Sequence, residues 1–325
     1  MSFRIGIVGV SGYGGGETLR LCATHPQFEV VYVAGESSAG TMLSERFPGI
    51  GKLGDLLIEK WDPAKFPPID MLFASLPTGE SHASLSRAAT ITRVVDIGGD
   101  HRFKADWTYG LADIWPEKIR GAKLVANPGC YPAASITALS PLVANGLIDA
   151  SSIIIDAKSG VSGAGRGGGD SKFSFAEVNE DVAAYGLFKH AHVAEMNHAL
   201  TQIGGNKSAA AITFTPHLIP MTRGILATCY ARGKATTEQC LDAARKFYAD
   251  RAFVRVVDKP PHTKWALGSN LAFVSYAADP DRQLIIAIGA IDNLGKGAAG
   301  QAVQNANLML GLPPITGLEG APLWP

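Results

Sequence analysis

The sequence lacks any excess of charge: Lys plus Arg and Asp plus Glu both number 29. A neutral balance removes the bulk attraction that nucleic acid or an anionic membrane surface would need in a partner. Long apolar runs are absent too. The N-terminal run in MSFRIGIVGVSGYGGG is too short to span a membrane, and it passes into glycines where a signal peptide would need a cleavage pattern. Cysteine is scarce. Cys22, Cys130, Cys229 and Cys240 stand apart with no CxxC spacing, which argues against a zinc knuckle and a disulfide framework and suits free thiols in a reducing cytoplasm. No HExxH spacing, repeat, charge block or low-complexity linker occurs, and no metal site is expected. What remains is a chain whose partner is a small molecule and whose 325 residues suit two domains better than one.

Apolar runs alternate with helix-compatible stretches through the first half. Phe3 to Val10 reads as a strand covered on both faces and Glu17 to Ala23 as a helix, with further runs at Phe28 to Ala34, Ile69 to Ser75, Arg93 to Ile97 and Lys123 to Ala126. That alternation builds a parallel, doubly wound sheet with crossover helices. From Ser151 the pattern changes. Strand-like runs at Ile153 to Ala157, Ile212 to Thr215, Ile225 to Ala231, Phe253 to Val257, Leu271 to Ala277 and Leu284 to Ile291 come with few helices between them, so a mixed or antiparallel sheet is expected. Thr237 to Arg251 is the clearest helix there, and a last helix at Ala298 to Leu310 is expected to return to the first domain. Gly163 to Gly169 has the composition of a mobile loop.

Between the first strand and first helix, Gly9, Gly12 and Gly15 keep a Gly-x-x-Gly-x-x-Gly spacing. A dinucleotide pyrophosphate needs backbone amides it can approach without side chains in the way, and a helix N-terminus whose partial positive charge faces it. The position of the glycines, more than the letters, makes the motif specific. After the second strand comes Ala34-Gly35-Glu36-Ser37-Ser38. An acid there favours a free ribose hydroxyl and hydroxyls can hold a 2′-phosphate, so residue types leave NAD and NADP both open.

Cys130 lies in Asn127-Pro128-Gly129-Cys130-Tyr131-Pro132, after a strand and before the helix-compatible stretch Ala133 to Val143. The unsatisfied amides and dipole of a helix's first turn stabilise a thiolate, which makes Cys130 a nucleophile candidate. Cys22, Cys229 and Cys240 sit in ordinary helix or strand patterns and read as packing. A thiolate attacking an acyl group needs a proton shuttle and a cationic cradle. His190 and His192 are the base candidates, although His192 and Glu195 also stand at i, i+3 as a metal pair would. Arg102, Lys158 and Arg166 are the cations for a phosphate; Lys158 and Arg166 bracket Ser159-Gly160-Val161-Ser162-Gly163-Ala164-Gly165.

Read together, these segments resemble the N-acetyl-gamma-glutamyl-phosphate reductase family, part of a wider group that includes aspartate-semialdehyde dehydrogenase. Four segments carry the likeness in order: Gly9 to Glu17, Ala126 to Pro132, Asp156 to Arg166 and Asp292 to Asn305. The resemblance implies an α/β fold: a Rossmann-type doubly wound domain, residues 1–148 and 298–325, binding NADPH, and an α+β catalytic and dimerisation domain with a mixed sheet, 149–297. It implies a homo-oligomer, dimer or tetramer, and Cys130 as nucleophile. By the same carry-over Ser11, Gly12, Tyr13, Gly14 and Gly15 hold the pyrophosphate, Ser37 and Ser38 lie near the adenosine end, and Ser162, Gly163 and Asn293 approach the nicotinamide. Asn127, Ser159 and Glu195 join Arg102, Lys158 and Arg166 as substrate or phosphate ligands.

Three positions depart from the family pattern: Ala191 stands where His-Arg-His has arginine, Gly14 where a threonine commonly follows the tyrosine, and His101 where Asp-Phe-Arg has phenylalanine. The expected reaction reduces N-acetyl-gamma-glutamyl phosphate to the semialdehyde through a Cys130 thioester, in arginine biosynthesis, with His192 slightly favoured over His190 for the proton. The rival readings are the same chemistry on an aminoadipyl phosphate of lysine biosynthesis and a non-catalytic dinucleotide sensor on the same fold.

Overall fold

Strands buried on both faces need helices above and below them, and the first half of the chain provides both. The computed structural model describes residues 2–166, 174–206 and 209–324; positions 167–169 of the expected mobile loop lie outside the described residues. The chain divides into two units, Met1–Pro128 with Ala298–Gly320, and Gly129–Gly297 with Ala321–Pro325.

In the first unit, β1 (Phe3–Val8), β2 (Phe28–Gly35), β3 (Glu59–Lys60), β4 (Met71–Ala74), β5 (Arg93–Asp96), β6 (Thr108–Tyr109) and β7 (Leu124–Ala126) form one sheet in the order β3-β2-β1-β4-β5-β7-β6. Every pairing is parallel. The order grows outward from β1 in both directions, so the carboxyl ends of β1 and β4 form the switch point where ligands of such sheets bind. Its helices are α1 (Tyr13–Ala23), α2 (Leu43–Arg46), α3 (Ser81–Leu85), α4 (Ala88–Ile91) and α5 (Pro116–Ile119). Helix α1 begins at Tyr13, not at Glu17 as its propensities suggest. Gly14, Gly15 and Gly16 are poor helix formers, but close packing overrides that: a Cβ on Gly15 would lie 2.1 Å from the Gly9 carbonyl oxygen.

In the second unit α6 (Cys130–Ala144), β8 (Ile153–Gly160), α7 (Phe175–Val178), β9 (Ala183–Ala184), α8 (His192–Ile203), β10 (Ile212–Ile219), β11 (Ile225–Arg232), α9 (Thr237–Phe247), β12 (Val254–Val256), β13 (Ala272–Asp279) and β14 (Leu284–Ile291) follow one another. The sheet order is β12-β13-β14-β11-β8-β10-β9. It is mixed: β8 runs parallel to β10 and β12 to β13, and the other pairs are antiparallel. Alternation puts Ile155, Ala157 and Ser159 of β8 on the buried face, in register with Cys229, Ala227 and Ile225 of β11.

Helix α6 covers that face. A Cβ on Gly289 would sit 2.5 Å from the Ala134 carbonyl oxygen, so only glycine lets helix and strand approach this closely. Pro141 lies inside α6 and has no N–H for the Thr137 carbonyl; the Tyr248 hydroxyl donates to that oxygen instead, at 2.7 Å. This packing explains a departure from the sequence reading, which grouped residues 129–148 with the first domain. The apolar surface of α6 lies on β11 and β14, and the division falls at Pro128/Gly129. The terminal residues also go with the second unit, where the Leu323 N–H donates to the Leu267 carbonyl at 2.8 Å.

The last helix, α10 (Gly300–Met309), belongs to the first unit and follows a π-turn, Gly295–Ala299. The nitrogens of its buried amides find acceptors: Gln301 and Asn305 donate to the Gly110 carbonyl at 2.8 and 2.9 Å, and Gln304 to Asp113 at 3.0 Å.

Candidate functional site

The nucleotide turn is built on a close approach at Gly9. Gly9 has φ +77, and a Cβ there would lie 2.1 Å from the Ser75 carbonyl oxygen; its N–H donates to Ala34 O at 2.9 Å, which ties the turn to β2. Gly12, the N-cap of α1, is extended and no side chain caps the helix. A Cβ at Gly12 would find only Gly9 O at 3.4 Å, so the space before the first-turn amides is open to a ligand. A diphosphate fits this N-terminus. Beside it the hydroxyls of Ser11 and Ser38 are hydrogen-bonded to each other, while Ser37 is exposed. Two groups the sequence reading missed lie here. Arg46 Nη2 reaches Ser11 O at 3.5 Å, and Lys60 pairs at 3.1 Å with Glu36, the acid after β2 already read from the sequence. Neither leaves a local signal, because each depends on the excursion between β2 and β3.

Also in the first unit, Arg102 Nε donates to Asn127 O at 3.0 Å. Its loop is fixed from below by buried Asp96, which stands 2.7 Å from His101 Nδ1 and accepts the Gly98 N–H at 2.9 Å. His101 stacks on Trp107 with ring centroids 4.0 Å apart, so the histidine in the phenylalanine position keeps an aromatic contact and adds a hydrogen-bonding partner for Asp96. Asn127, expected to touch substrate, is fully buried. Its Nδ2 donates to Ala298 O at 3.1 Å and its Oδ1 accepts from Asn305 at 3.0 Å. Both bonds hold it in the packing of α10.

In the second unit Cys130 is the first residue of α6, whose N-cap Gly129 is extended and has no side-chain cap. Cys130 is partly exposed and the other cysteines are buried. Burial pushes the Cys229 and Cys240 thiols up, to about 12 and about 11, and Cys22 higher still, so these three are packing residues. Helix α8 brings two groups to the turn before the cysteine. A Cβ on Gly129 would lie 2.3 Å from His192 Nε2, and Glu195 Oε1 accepts the Gly129 N–H at 2.8 Å. His190 is placed differently. Its Nδ1 accepts the His192 N–H at 3.2 Å, so it serves the start of α8, and it packs against Tyr131 and Tyr185 with centroids at 5.8 and 5.5 Å.

The two tyrosines were not foreseen. The Tyr131 hydroxyl donates to His217 O at 2.9 Å, and the Tyr185 hydroxyl donates to Tyr131 at 3.2 Å. Burial, with smaller contributions from the neighbouring Cys130, pushes both phenols up, Tyr185 to about 12; they remain neutral donors. Ser159, Ser162, Gly163 and Asn293 lie close together: Asn293 donates to Ser162 Oγ at 2.9 Å and accepts from Gly224 N at 2.7 Å, and a Cβ on Gly163 would meet Ser159 Oγ at 2.8 Å.

Two further residues named from the sequence have partners of their own. Lys158 alternates with Ser159, so it points to the sheet face away from α6, where it pairs with Asp156 at 2.9 Å. Glu195 is 1% exposed and committed to the Gly129 amide. Arg166 is exposed at the edge of the described residues. Arg223, unremarked in the sequence, pairs with fully buried Asp292 at 3.0 Å, and the same carboxylate accepts the N–H groups of Leu294 and Gly295 at 2.9 Å each. Among the described residues no cluster of His, Cys, Asp and Glu could hold a metal ion.

Residues 4–122 match the semialdehyde dehydrogenase NAD binding domain and residues 130–293 the semialdehyde dehydrogenase dimerisation domain. An N-acetyl-gamma-glutamyl-phosphate reductase of a Bradyrhizobium species is 67% identical over the whole of both chains. This chain belongs to the N-acetyl-gamma-glutamyl-phosphate reductase family. A family relative in Symbiobacterium thermophilum is 42% identical, again over the whole of both chains. The family fold is shared more widely. An aspartate semialdehyde dehydrogenase II of Vibrio cholerae superposes with a TM-score of 0.76 at 17% identity, over 96% of this chain and 99% of that one. A Candida albicans aspartate semialdehyde dehydrogenase, solved with NADP, gives 0.75 at 16% identity over 95% and 99%.

Proposed function

We propose that the protein reduces N-acetyl-gamma-glutamyl phosphate to N-acetyl-glutamate 5-semialdehyde, releasing phosphate, in arginine biosynthesis. The observation that carries this reading is Cys130 on the uncapped first turn of α6 with His192 against the preceding glycine, in a chain whose relatives bear the reductase name over their full length.

The thiol proton passes to His192, and the thiolate attacks the acyl carbon; the bond from that carbon to the phosphate oxygen breaks and a thioester remains. Amides at the start of α6 stabilise the oxyanion that forms on the way. NADPH, when bound, supplies the hydride that takes the thioester to the aldehyde level. The Cys130 sulfur then leaves as thiolate, with His192 managing the proton. His190 supports this role by holding the start of α8. Arg102, Ser159 and Arg166 are the residues we assign to the anionic groups of the substrate.

For the cofactor we assign Gly9, Ser11, Gly12, Tyr13, Gly14 and Gly15 to the pyrophosphate, and Ser162, Gly163 and Asn293 to the nicotinamide end. Ser38 takes the adenosine end, with Ser37 beside it. NADPH is favoured over NADH because the Ser11 and Ser38 hydroxyls lie together beside Arg46 while Glu36 is turned to Lys60. Self-association, as dimer or tetramer, uses the sheet face away from α6, where Ile154 is 49% exposed. No helix among the described residues is long and apolar enough to cross a membrane, and a cytoplasmic location suits the free thiols.

The reverse reaction tests the proposal. Purified protein given N-acetyl-glutamate semialdehyde, phosphate and NADP is expected to form NADPH only when phosphate is present, and to stop when Cys130 is alkylated. Turnover only with an aminoadipate semialdehyde derivative would reassign the substrate. Silence with both aldehydes would leave a dinucleotide-binding protein and overturn the enzyme reading.

A further inference from the structure

Glu195 is a buried carboxylate for which the reaction scheme above has no use. It is 1% exposed, and taking a carboxylate out of water is costly unless strong hydrogen bonds compensate. One that does is charge-assisted: Oε1 accepts the N–H of Gly129, the residue before the nucleophile, at 2.8 Å. Three residues earlier on the same face of α8 stands His192, whose Nε2 would be 2.3 Å from any Cβ on that same glycine. Gly129 is also the extended N-cap of α6, with φ −68 and ψ 157, and as a glycine it has no side chain with which to cap the helix. One face of α8 therefore grips the cysteine turn by a hydrogen bond and sets the base against it.

The geometry points to Glu195 as a positioning residue, which keeps the Gly129–Cys130 turn in register with His192 and does not bind substrate. The inference rests on Cys130 being the nucleophile, as proposed above. Glu195 acts through its reach, since what the Gly129 amide requires is an acceptor oxygen at that point. Glutamine has the same length and keeps such an oxygen without the charge. Aspartate keeps the charge but is shorter by one carbon–carbon bond, about 1.5 Å, and falls short of the amide.

The pair Glu195→Gln and Glu195→Asp separates reach from charge. Glu195→Gln is expected to keep kcat within about threefold of the parent, while Glu195→Asp loses about thirtyfold in kcat with the KM for the acyl phosphate within about twofold. Iodoacetamide labelling of Cys130 in the free enzyme is expected to change in rate with Glu195→Asp and to stay unchanged with Glu195→Gln. Equal damage in both variants would make the charge the active property, and a KM raised by about tenfold or more in either would make Glu195 a substrate ligand. Either result overturns the inference, as does normal turnover and labelling in both. If Glu195→Asp does not fold, Glu195→Gln decides alone, by retained or lost kcat. Labelling needs no substrate, so a wrong substrate assignment and a wrong role for Glu195 are read separately.

Discussion

The two units use the same local device for different ends. Each runs a strand into an extended glycine N-cap, Gly12 at φ −75, ψ 167 and Gly129 at φ −68, ψ 157, and starts a helix with no acid in its first turn and no side-chain cap. Both helix ends can therefore hold an anion. They differ in what surrounds the glycine. Around Gly12 there is room, as an anion carried in by a ligand would need; around Gly129 the His192 ring fills the space where a Cβ would be, as the proposed Cys130 thiolate with a proton acceptor beside it would need. A helix N-terminus becomes a binding site or a reaction centre according to what the distant chain brings to it.

The largest effect comes from removing the thiol. Cys130→Ser is expected to lower phosphate-dependent turnover by about a thousandfold or more while leaving NADPH affinity within about twofold, as equilibrium binding and steady-state rates would show. Loss of cofactor binding in this variant would break the division of labour between the two helix ends.

Next come the histidines. His192→Ala is expected to lower kcat by about a hundredfold, and His190→Ala by about tenfold through the start of α8. The reverse ranking would show that His190, not His192, carries the proton. The ranking follows from Gly129, which a Cβ would bring against His192 and not against His190.

A third test compares the N-caps directly. Gly129→Ala must displace the His192 ring and is expected to lower kcat by about tenfold or more with NADPH affinity unchanged, whereas Gly12→Ala, with only Gly9 O at 3.4 Å, should fold normally and raise the KM for NADPH by about tenfold. Equal behaviour of the two variants in both readouts would erase the distinction between room and ring.

The comparison also accounts for what the sequence made legible. The nucleotide turn is continuous in the chain, so Gly9, Gly12 and Gly15 and the strand before them could be read from spacing. Cys130 was legible for the same reason. Its neighbours were named in part, through residue type and the resemblance, but their placement was not legible, because they arrive from α8, β8 and the segment after β14. Strand alternation could have placed Lys158 away from α6 only once Ser159 was known to face inward, and the run Ile153 to Ala157 was read too short to include either; β8 extends to Gly160. Asn127 and Glu195 are polar residues that the resemblance implied as substrate or phosphate ligands. Burial shows them satisfied by Ala298, Asn305 and Gly129. Helix α6 was assigned to the wrong domain because its apolar residues run round nearly its whole circumference, a pattern that says buried without saying where.

The smallest effect contrasts a structural histidine in the first unit with the reactive one in the second. His25 is buried under the tail after α10: a Cβ on Gly317 would lie 2.2 Å from its Cδ2. Its Nδ1 accepts the Gln27 N–H at 3.2 Å and its Nε2 stands 3.1 Å from Asn307 Oδ1, a pattern that suits the neutral ring with its proton on Nε2. Burial, opposed by weaker hydrogen-bond and charge contributions, holds its pKa below the ordinary 6.5. Above that value the ring is neutral folded or unfolded, and its pH contribution is nil. Below it the unfolded chain takes up a proton that the folded one refuses, so stability falls with pH until the folded ring titrates too. Urea unfolding midpoints from about pH 8 to about pH 5 should decline more steeply in the parent than in His25→Gln, by at most about one proton per molecule, since glutamine can still donate to Asn307 but does not titrate. An identical slope in the two proteins would mean that the tail opens before the ring is charged, and His25 would then be no firmer a part of its unit than the loop that covers it.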